Sequence, residues 1–332
     1  MDRESTLSVF FGIPWVVAWV VGIAVLGVAC SGADGSTAGD DSPSDTTAAN
    51  ASTVEPDAVE PSEPPEVSTS TVEPSADAPS ESDGVAESVH ILAAFFGLDD
   101  GIPGQLFGCG MSGLQDGMPI VLDRPIPLPA LLDPSVFVVH RASGAESPVG
   151  CATLAPADEA EERRTILLVG EFASDGDPPV GVEIVGTLLT DDGVDAKGAL
   201  VETVVPLAAG PSIVLAEHYL ISELPTGGTD ECPADTDHII KTTWEGGVSG
   251  PGGADLDESH RLGTTVEYAS GEVRVATLLA DAFDNDNHVE LCMSAPGEPV
   301  AITAGSGLYE DPNGDLNALH AQVVVDAHEL TP

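Results

Sequence analysis

The sequence predicts an all-β protein, two tandem β-sandwiches behind an apolar N-terminal segment and a long polar one. Three observations predict it. Short β-branched or apolar runs recur from residue 89 to 332, bounded by Gly, Pro, Asp or Ser. Gly (36) and Pro (27) are frequent and aromatic residues make up only 4%, a turn-rich mixture that suits strands better than a helical bundle. Several stretches also recur, in order, at an offset of about 120 residues.

The N-terminal element is the run Leu7 to Ala29, which contains no charged side chain. At ~1.5 Å per residue it reaches about 34 Å, enough to cross a ~30 Å hydrocarbon core and longer than the apolar region of an ordinary cleaved signal. After Arg3 the next basic residue is Arg124, so no positive charge opposes export of the chain beyond the run. Cys30 stands directly after the run, with Ala29 before it and Ser31-Gly32 after it. This resembles a bacterial lipoprotein signal, which implies lipid on Cys30 and cleavage just before it. Gly27 occupies the position where that family prefers Leu, with Leu26 one place off. The other reading is an uncleaved transmembrane anchor; in either case residues 1–30 supply the tether, and the chain stays at the outer face of a cell membrane.

Residues 31–88 are mostly Ser, Thr, Ala, Pro, Asp and Glu, with 14 acidic residues, no Lys or Arg and almost nothing large and apolar. Such a composition cannot bury enough apolar surface to offset its ordering entropy, so it reads as a disordered linker. Its prolines and like charges favour extension. A flexible coil of this length spans on the order of 40 Å and a stretched one roughly 190 Å. Asn50-Ala51-Ser52 matches a glycosylation sequon but carries little weight beside a bacterial lipoprotein signal.

From 89 onward the duplication organises the chain. Val89 to Phe96 is matched by Ser212 to Tyr219, Cys109 by Cys232, and Ala142-Ser143-Gly144 by Ala269-Ser270-Gly271. Thr165 to Val169 is matched by His288 to Cys292, and Pro179 to Ile184 by Pro299 to Thr303. These matches divide the region into 89–210 and 211–332. Predicted strands in the first half are 137–140, 166–169, 180–185 and 201–205. Those in the second half are 238–243, 264–268, 273–278, 289–293 and 323–325. Helical periodicity is poor, residues 156–164 being the best case. Turn signals every 8–12 residues fit a β-sandwich.

The order Met118 to Leu122, Pro134 to Val139, Thr165 to Leu168, Val182 to Gly186 and Asp191-Asp192-Gly193 resembles the bacterial Ig-like domain of S-layer and adhesin proteins. The second half keeps the closing part best, Asp311 to Asn317. The stretches Asp116-Gly117-Met118-Pro119 and Asp311 to Asn317 are also similar to those of uncharacterised exported bacterial proteins. The resemblance implies two Ig-like sandwiches and a structural or binding role, with no activity attached.

Charge narrows the partners. There are 56 acidic residues against 9 basic ones, a formal charge of −47, which excludes nucleic acid and anionic headgroups because both are held through Lys and Arg. Apart from Cys30, the cysteines are Cys109, Cys151, Cys232 and Cys292, two per repeat. Four cysteines allow three pairings. The repeat favours Cys109–Cys151 and Cys232–Cys292 over a metal or redox site, since neither Cys-x-x-Cys nor a close Cys/His cluster occurs.

Candidate sites are sparse. Asp311, Asn313, Asp315 and Asn317 alternate as the oxygen ligands of a calcium loop do. The EF-hand glycine position holds Leu316, however, and the position of its bidentate Glu holds Gln322. A solvated turn before the last strand explains the same residues. Asp284 to Asn287 form a second oxygen-rich loop. Histidines 218, 238, 260, 288, 320 and 328 gather in the second half. His288 and Glu290 share a strand face, but the Pro-Cys-x-x-Cys partner of a zinc deaminase is missing. Gly110 to Gly113 lacks the context of a nucleophile elbow, and neither a phosphate-cradling loop nor a dinucleotide fingerprint occurs. Trp244 reads as a core residue or an exposed stacking platform. The function expected is non-enzymatic: a surface lipoprotein for envelope binding or adhesion to an extracellular protein or glycan. The rivals are a purely structural spacer, a calcium-stabilised binding module, and a secreted hydrolase with an unrecognised site.

Overall fold

A computed structural model describes residues 88–157, 162–174, 176–222, 231–280 and 286–327. The apolar run, Cys30, almost all of the polar linker, Asp284, Asn285 and His328 lie outside the described residues. Those described belong to one compact unit, 79–332, and it is all-β.

In the first half the strands are β1 (Ile91–Ala94), β2 (Leu98–Pro103), β3 (Leu114–Leu122), β4 (Leu131–Leu132) and β5 (Phe137–Arg141). They continue with β6 (Glu146–Thr153), β7 (Thr165–Gly170), β8 (Pro179–Ile184) and β9 (Leu200–Val201). The second half holds β10 (Ile213–Leu220), β11 (His238–Trp244), the short helix α1 (Glu258–Gly263), β12 (Thr264–Tyr268) and β13 (Val273–Val275). β14 (Leu278–Ala280), β15 (His288–Met293), β16 (Pro299–Ala304), β17 (His320–Val323) and β18 (Val325–Asp326) complete it.

The strand order repeats. In the first half it runs β1-β3-β7-β6 and continues β6-β5-β8-β9; in the second it runs β10-β11-β15-β14 and, in a separate sheet, β13-β12-β16-β17. β6 is long enough to serve both parts, pairing with β5 through Glu146 to Pro148 and with β7 through Val149 to Thr153. Its counterpart, expected as one strand over 273–278, is broken into β13 and β14. At the break the Ala276 carbonyl accepts from Arg261 of α1. Each half also closes with a parallel contact, an isolated bridge of Phe95 with Val205 beyond β1 and β9 in the first, and β10 with β18 through Glu217–His218 and Val325–Asp326 in the second.

Local chemistry places the turns. Gly144 and Gly271, the matched glycines of the two Ala-Ser-Gly stretches, have φ of 83° and 81°, a left-handed conformation glycine adopts without a Cβ penalty. α1 begins at a capping box in which Asp257 accepts from Ser259 N–H while the Asp257 N–H donates to His260 Nδ1. Sequence periodicity misses this helix. The described residues of 156–164 form turns instead. The run expected as a strand over 201–205 shrinks to Leu200–Val201 plus the Val205 bridge.

Two hydrophobic cores fill the halves. One is built around Met118, Ile120, Phe137, Ile166, Leu168 and Val182. The other is built around Ile240, Trp244, Val266, Leu291, Ile302 and Tyr309. Trp244 is therefore a core residue, and its ring lies 4.5 Å from that of Tyr309.

β11 and β15 contain no exposed residue, so both their faces are covered. One faces its own core. The other lies against the first half, where Phe95 is fully buried yet outside the first-half core. A Cβ on Gly246 would sit 2.7 Å from Phe95 Cδ1 and 3.5 Å from Pro119 Cγ. Glycine is thus required for close approach of the halves. Gly246→Val is expected to cost about 1–3 kcal/mol through overpacking, read by urea denaturation, whereas Gly252→Ala, which meets nothing within 4 Å, adds only the strain of its positive φ.

Candidate functional site

The acidic turn Asp311 to Asn317 joins β16 to β17. Asp311 is buried, and its Oδ1 accepts the amides of Asn313 (3.0 Å) and Asp315 (2.8 Å). Asn317 is also buried. Its Oδ1 accepts from the amides of Leu308 and Tyr309, both at 2.9 Å, while its Nδ2 donates to the carbonyls of Gly305 (2.8 Å) and Ala318 (2.9 Å). Asn313 Nδ2 donates to Asp315 Oδ2 and reaches the Leu207 carbonyl at 3.2 Å. Three of the four alternating side chains thus brace backbone of the turn or of the linker between the halves. Asp311 Oδ2 is buried without a hydrogen bond, and burial raises the Asp311 pKa. Among the described residues no group of three His, Cys, Asp or Glu is placed to hold a metal ion. We expect calcium and chelator to give the same melting temperature for the full-length protein; a rise of several degrees with calcium would assign the turn to a cation.

The first-half counterpart uses charge instead. Asp191 is paired with Arg163 at 2.7 Å and Asp192 with Arg124. Asp195 Oδ1 accepts from Leu188 N–H at 3.0 Å, as Asn317 does from Leu308.

The densest cluster of buried polar groups lies where the halves meet, and sequence reasoning missed it. Glu217 on β10, Lys241 on β11 and Glu290 on β15 stand opposite one another in register, and all three are buried. From the first half, Arg164 Nη2 donates to Glu217 Oε1 at 2.8 Å, with side-chain exposures of 5% and 0%. Asn287 Nδ2 donates to Thr165 Oγ1 (2.9 Å) and to the Trp244 carbonyl (2.8 Å). His288 sits between Thr243 Oγ1 (3.2 Å) and Thr165 Oγ1 (3.5 Å). His288 and Glu290 do share a face, as their spacing requires, and that face is closed by the other half. Two of the nine basic residues of the chain lie here, which marks the cluster as a structural joint between charged partners.

A second buried histidine spans the two sheets of the second half. His238 Nδ1 is 3.1 Å from Asp237 Oδ2 and its Nε2 is 2.9 Å from the Tyr268 hydroxyl. A carboxylate only accepts, so Nδ1 carries the proton and Nε2 accepts from tyrosine. Tyr268 is 2% exposed, and Arg274 lies over its ring at 4.2 Å. The Asp-His-Tyr series thus ties strands together around a hydroxyl closed to substrate.

Burial lowers the pKa of His238, and lowers that of His288 further, with Lys241 and Arg164 adding to the effect on His288. Well above pH 6.5 both are neutral, folded or unfolded, and contribute no pH dependence. Below it the unfolded chain takes up protons the folded chain refuses, so stability falls as pH falls. Full exclusion of one proton, that of His288, gives a slope approaching about 1.4 kcal/mol per pH unit, and His238, less shifted, adds a smaller part. Urea denaturation at pH 7.5, 6.5 and 5.5 checks this, and His288→Gln is expected to remove more than half of the slope. Glu245 and Asp311, raised by burial, act in the opposite sense.

The disulfides are Cys109–Cys151 and Cys232–Cys292, the pairing that the repeat favours. Each ties the loop before the second core strand of its half to the sheet, but on neighbouring strands: Cys151 lies on β6, and Cys292 on β15, where β7 of the first half has Val169. Another buried acid, Asp116, accepts from the amides of Asp100 (2.9 Å), Phe172 (2.6 Å) and Ala173 (3.1 Å). Compared with known proteins, the chain matches no family, no curated protein and no solved structure.

Proposed function

We propose that the protein is a non-enzymatic lipoprotein tethered through Cys30 at the outer face of a bacterial membrane. Its residues 89–210 and 211–332 act as two Ig-like domains, presented on the acidic linker for envelope binding or adhesion. The observation that carries this reading is the pair of disulfides in the β-rich part. Stable structural disulfides belong to oxidising compartments, which is where an apolar run followed by a cysteine would deliver the chain. The Ig-like reading is supported by strand order. β1-β3-β7-β6 and β10-β11-β15-β14 follow the A-B-E-D order of an immunoglobulin sheet, while β5-β8-β9 and β12-β16-β17 follow C-F-G. The charge of −47 keeps such a protein extended from the surface and soluble.

Protease treatment of intact cells tests the proposal. Digestion of residues 89–332 from the cell surface, with the protein in the membrane fraction beforehand, is the expected result. A protein that stays protected in intact cells and partitions with the cytosol would overturn it.

A further inference from the structure

The two halves differ at one sheet edge: among the described residues, the second half lacks the strand that flanks this edge in the first. In the first half, β6 is flanked on its outer side by β4, with Leu131 opposite Thr153 and Leu132 opposite Ala152. Pairing with β7 and β15 fixes the equivalent positions. Cys151, Ala152 and Thr153 face Val169, Leu168 and Leu167, while Leu278, Leu279 and Ala280 face Cys292, Leu291 and Glu290. Leu279 and Ala280 are therefore the residues that a second β4 would cover. The chain between β11 and β12 makes α1 instead, and among the described residues no strand pairs with the outer edge of β14.

A groove runs along that edge. Leu256, Leu278 and Leu279 supply its apolar surface, and Glu231, Asp257 and Glu258 its rim. Arg261, the cation in its lining, is held by Glu258 at 2.7 and 2.5 Å, which leaves the rim negative. In the first half the residue opposite Ala152, Leu132, packs against the core. A visiting residue opposite Leu279 would point the same way, toward Leu256.

We propose that the outer edge of β14 is a docking site for an extended segment of a partner protein, added as an antiparallel strand, with an aliphatic residue opposite Leu279 and lysine or arginine on either side. Backbone pairing supplies the affinity and the alternating side chains supply the selectivity. An unpaired edge is a ready template for such addition, and the acidic rim selects basic neighbours for the aliphatic anchor. The surface deepens the binding role proposed above and rests on it, yet the tests are separable: loss of docking leaves surface exposure to protease unchanged.

The probe is a fluorescein-labelled peptide of alternating Lys and Val or Leu, added to the full-length protein. Its control has the same side chains but N-methyl groups on alternate amides, so that charge is kept and strand pairing is lost. Anisotropy measures affinity, and hydrogen exchange with mass spectrometry locates protection. Trp244 N–H donates to the Asn287 carbonyl, so alternate β15 residues Cys292 and Glu290 turn to β14, where Leu278 and Ala280 meet them and the Leu279 N–H points outward. Leu278→Lys, at an exposed side chain, sets a cation against the basic peptide and leaves the β14–β15 ladder intact. Glu231→Lys reverses part of the rim. The expected result is protection of 278–280 by the peptide, with at least about tenfold weaker binding of the N-methylated control and of both variants, at unchanged melting temperature. Equal binding of the control would reduce the interaction to bulk charge and overturn the proposal. So would protection elsewhere, or no binding at millimolar peptide. Protection of 278–280 that rises with protein concentration alone would give the edge to a second copy and overturn it as well.

Discussion

Arg164→Ala is expected to destabilise the protein by about 3–5 kcal/mol, the cost of leaving a buried charge without its partner. Glu217 is fully buried, and Arg164 is the cation that the first half brings to it. The same guanidinium also donates to the Asp123 carbonyl, so truncation strands a carbonyl along with the carboxylate. The double variant Arg164→Met with Glu217→Leu removes both charges at similar volume and is expected to return stability to near the wild-type value or above it. Lys241 keeps Glu290 opposite it in that variant. Urea denaturation of the wild type, Arg164→Met, Glu217→Leu and the double variant closes a cycle. A coupling near zero would mean that the pair does not hold the halves together.

Removing either disulfide is expected to cost about 4 kcal/mol, because the bridges close loops of 42 and 60 residues and chain entropy grows only slowly with loop length. Against a usual total of about 5–15 kcal/mol, that is a large share. Cys109→Ala with Cys151→Ala and Cys232→Ala with Cys292→Ala should therefore lose nearly equal stability. The second pair also empties volume in β15, where Cys292 is fully buried, so its loss should be the larger. Denaturation of each double variant under oxidising conditions reads the result. A loss below about 1 kcal/mol would show that the sheets alone hold those loops.

Much of the fold is written locally. The Ala-Ser-Gly turns, the Pro-Val starts of β8 and β16, and two cysteines per repeat are short-range signals, and each appears where the sequence places it. β14 and β4 are too short to register, and their difference depends on whether the chain between two strands stays extended or coils into α1. There the N3 residue of the capping box is His260 rather than Glu or Gln, so the usual pattern does not announce the helix. The charged joint was hidden for another reason. Along His238 to Trp244 the alternation puts Lys241 and Thr243 on one face, which by itself reads as a solvated face. Only the approach of Phe95, Arg164 and Thr165 from the other half buries it, and no local pattern encodes that contact. The acidic turn was visible as a pattern of oxygens, but the pattern does not say that Asp311 and Asn317 turn those oxygens toward backbone amides.

The most direct test of a surface-tethered protein is the mass of its N-terminal peptide, isolated from the cells that make it. A peptide beginning at Cys30, heavier than its sequence by a lipid modification, is the result predicted. A peptide beginning at Met1 from protein recovered in the cytosol would contradict it.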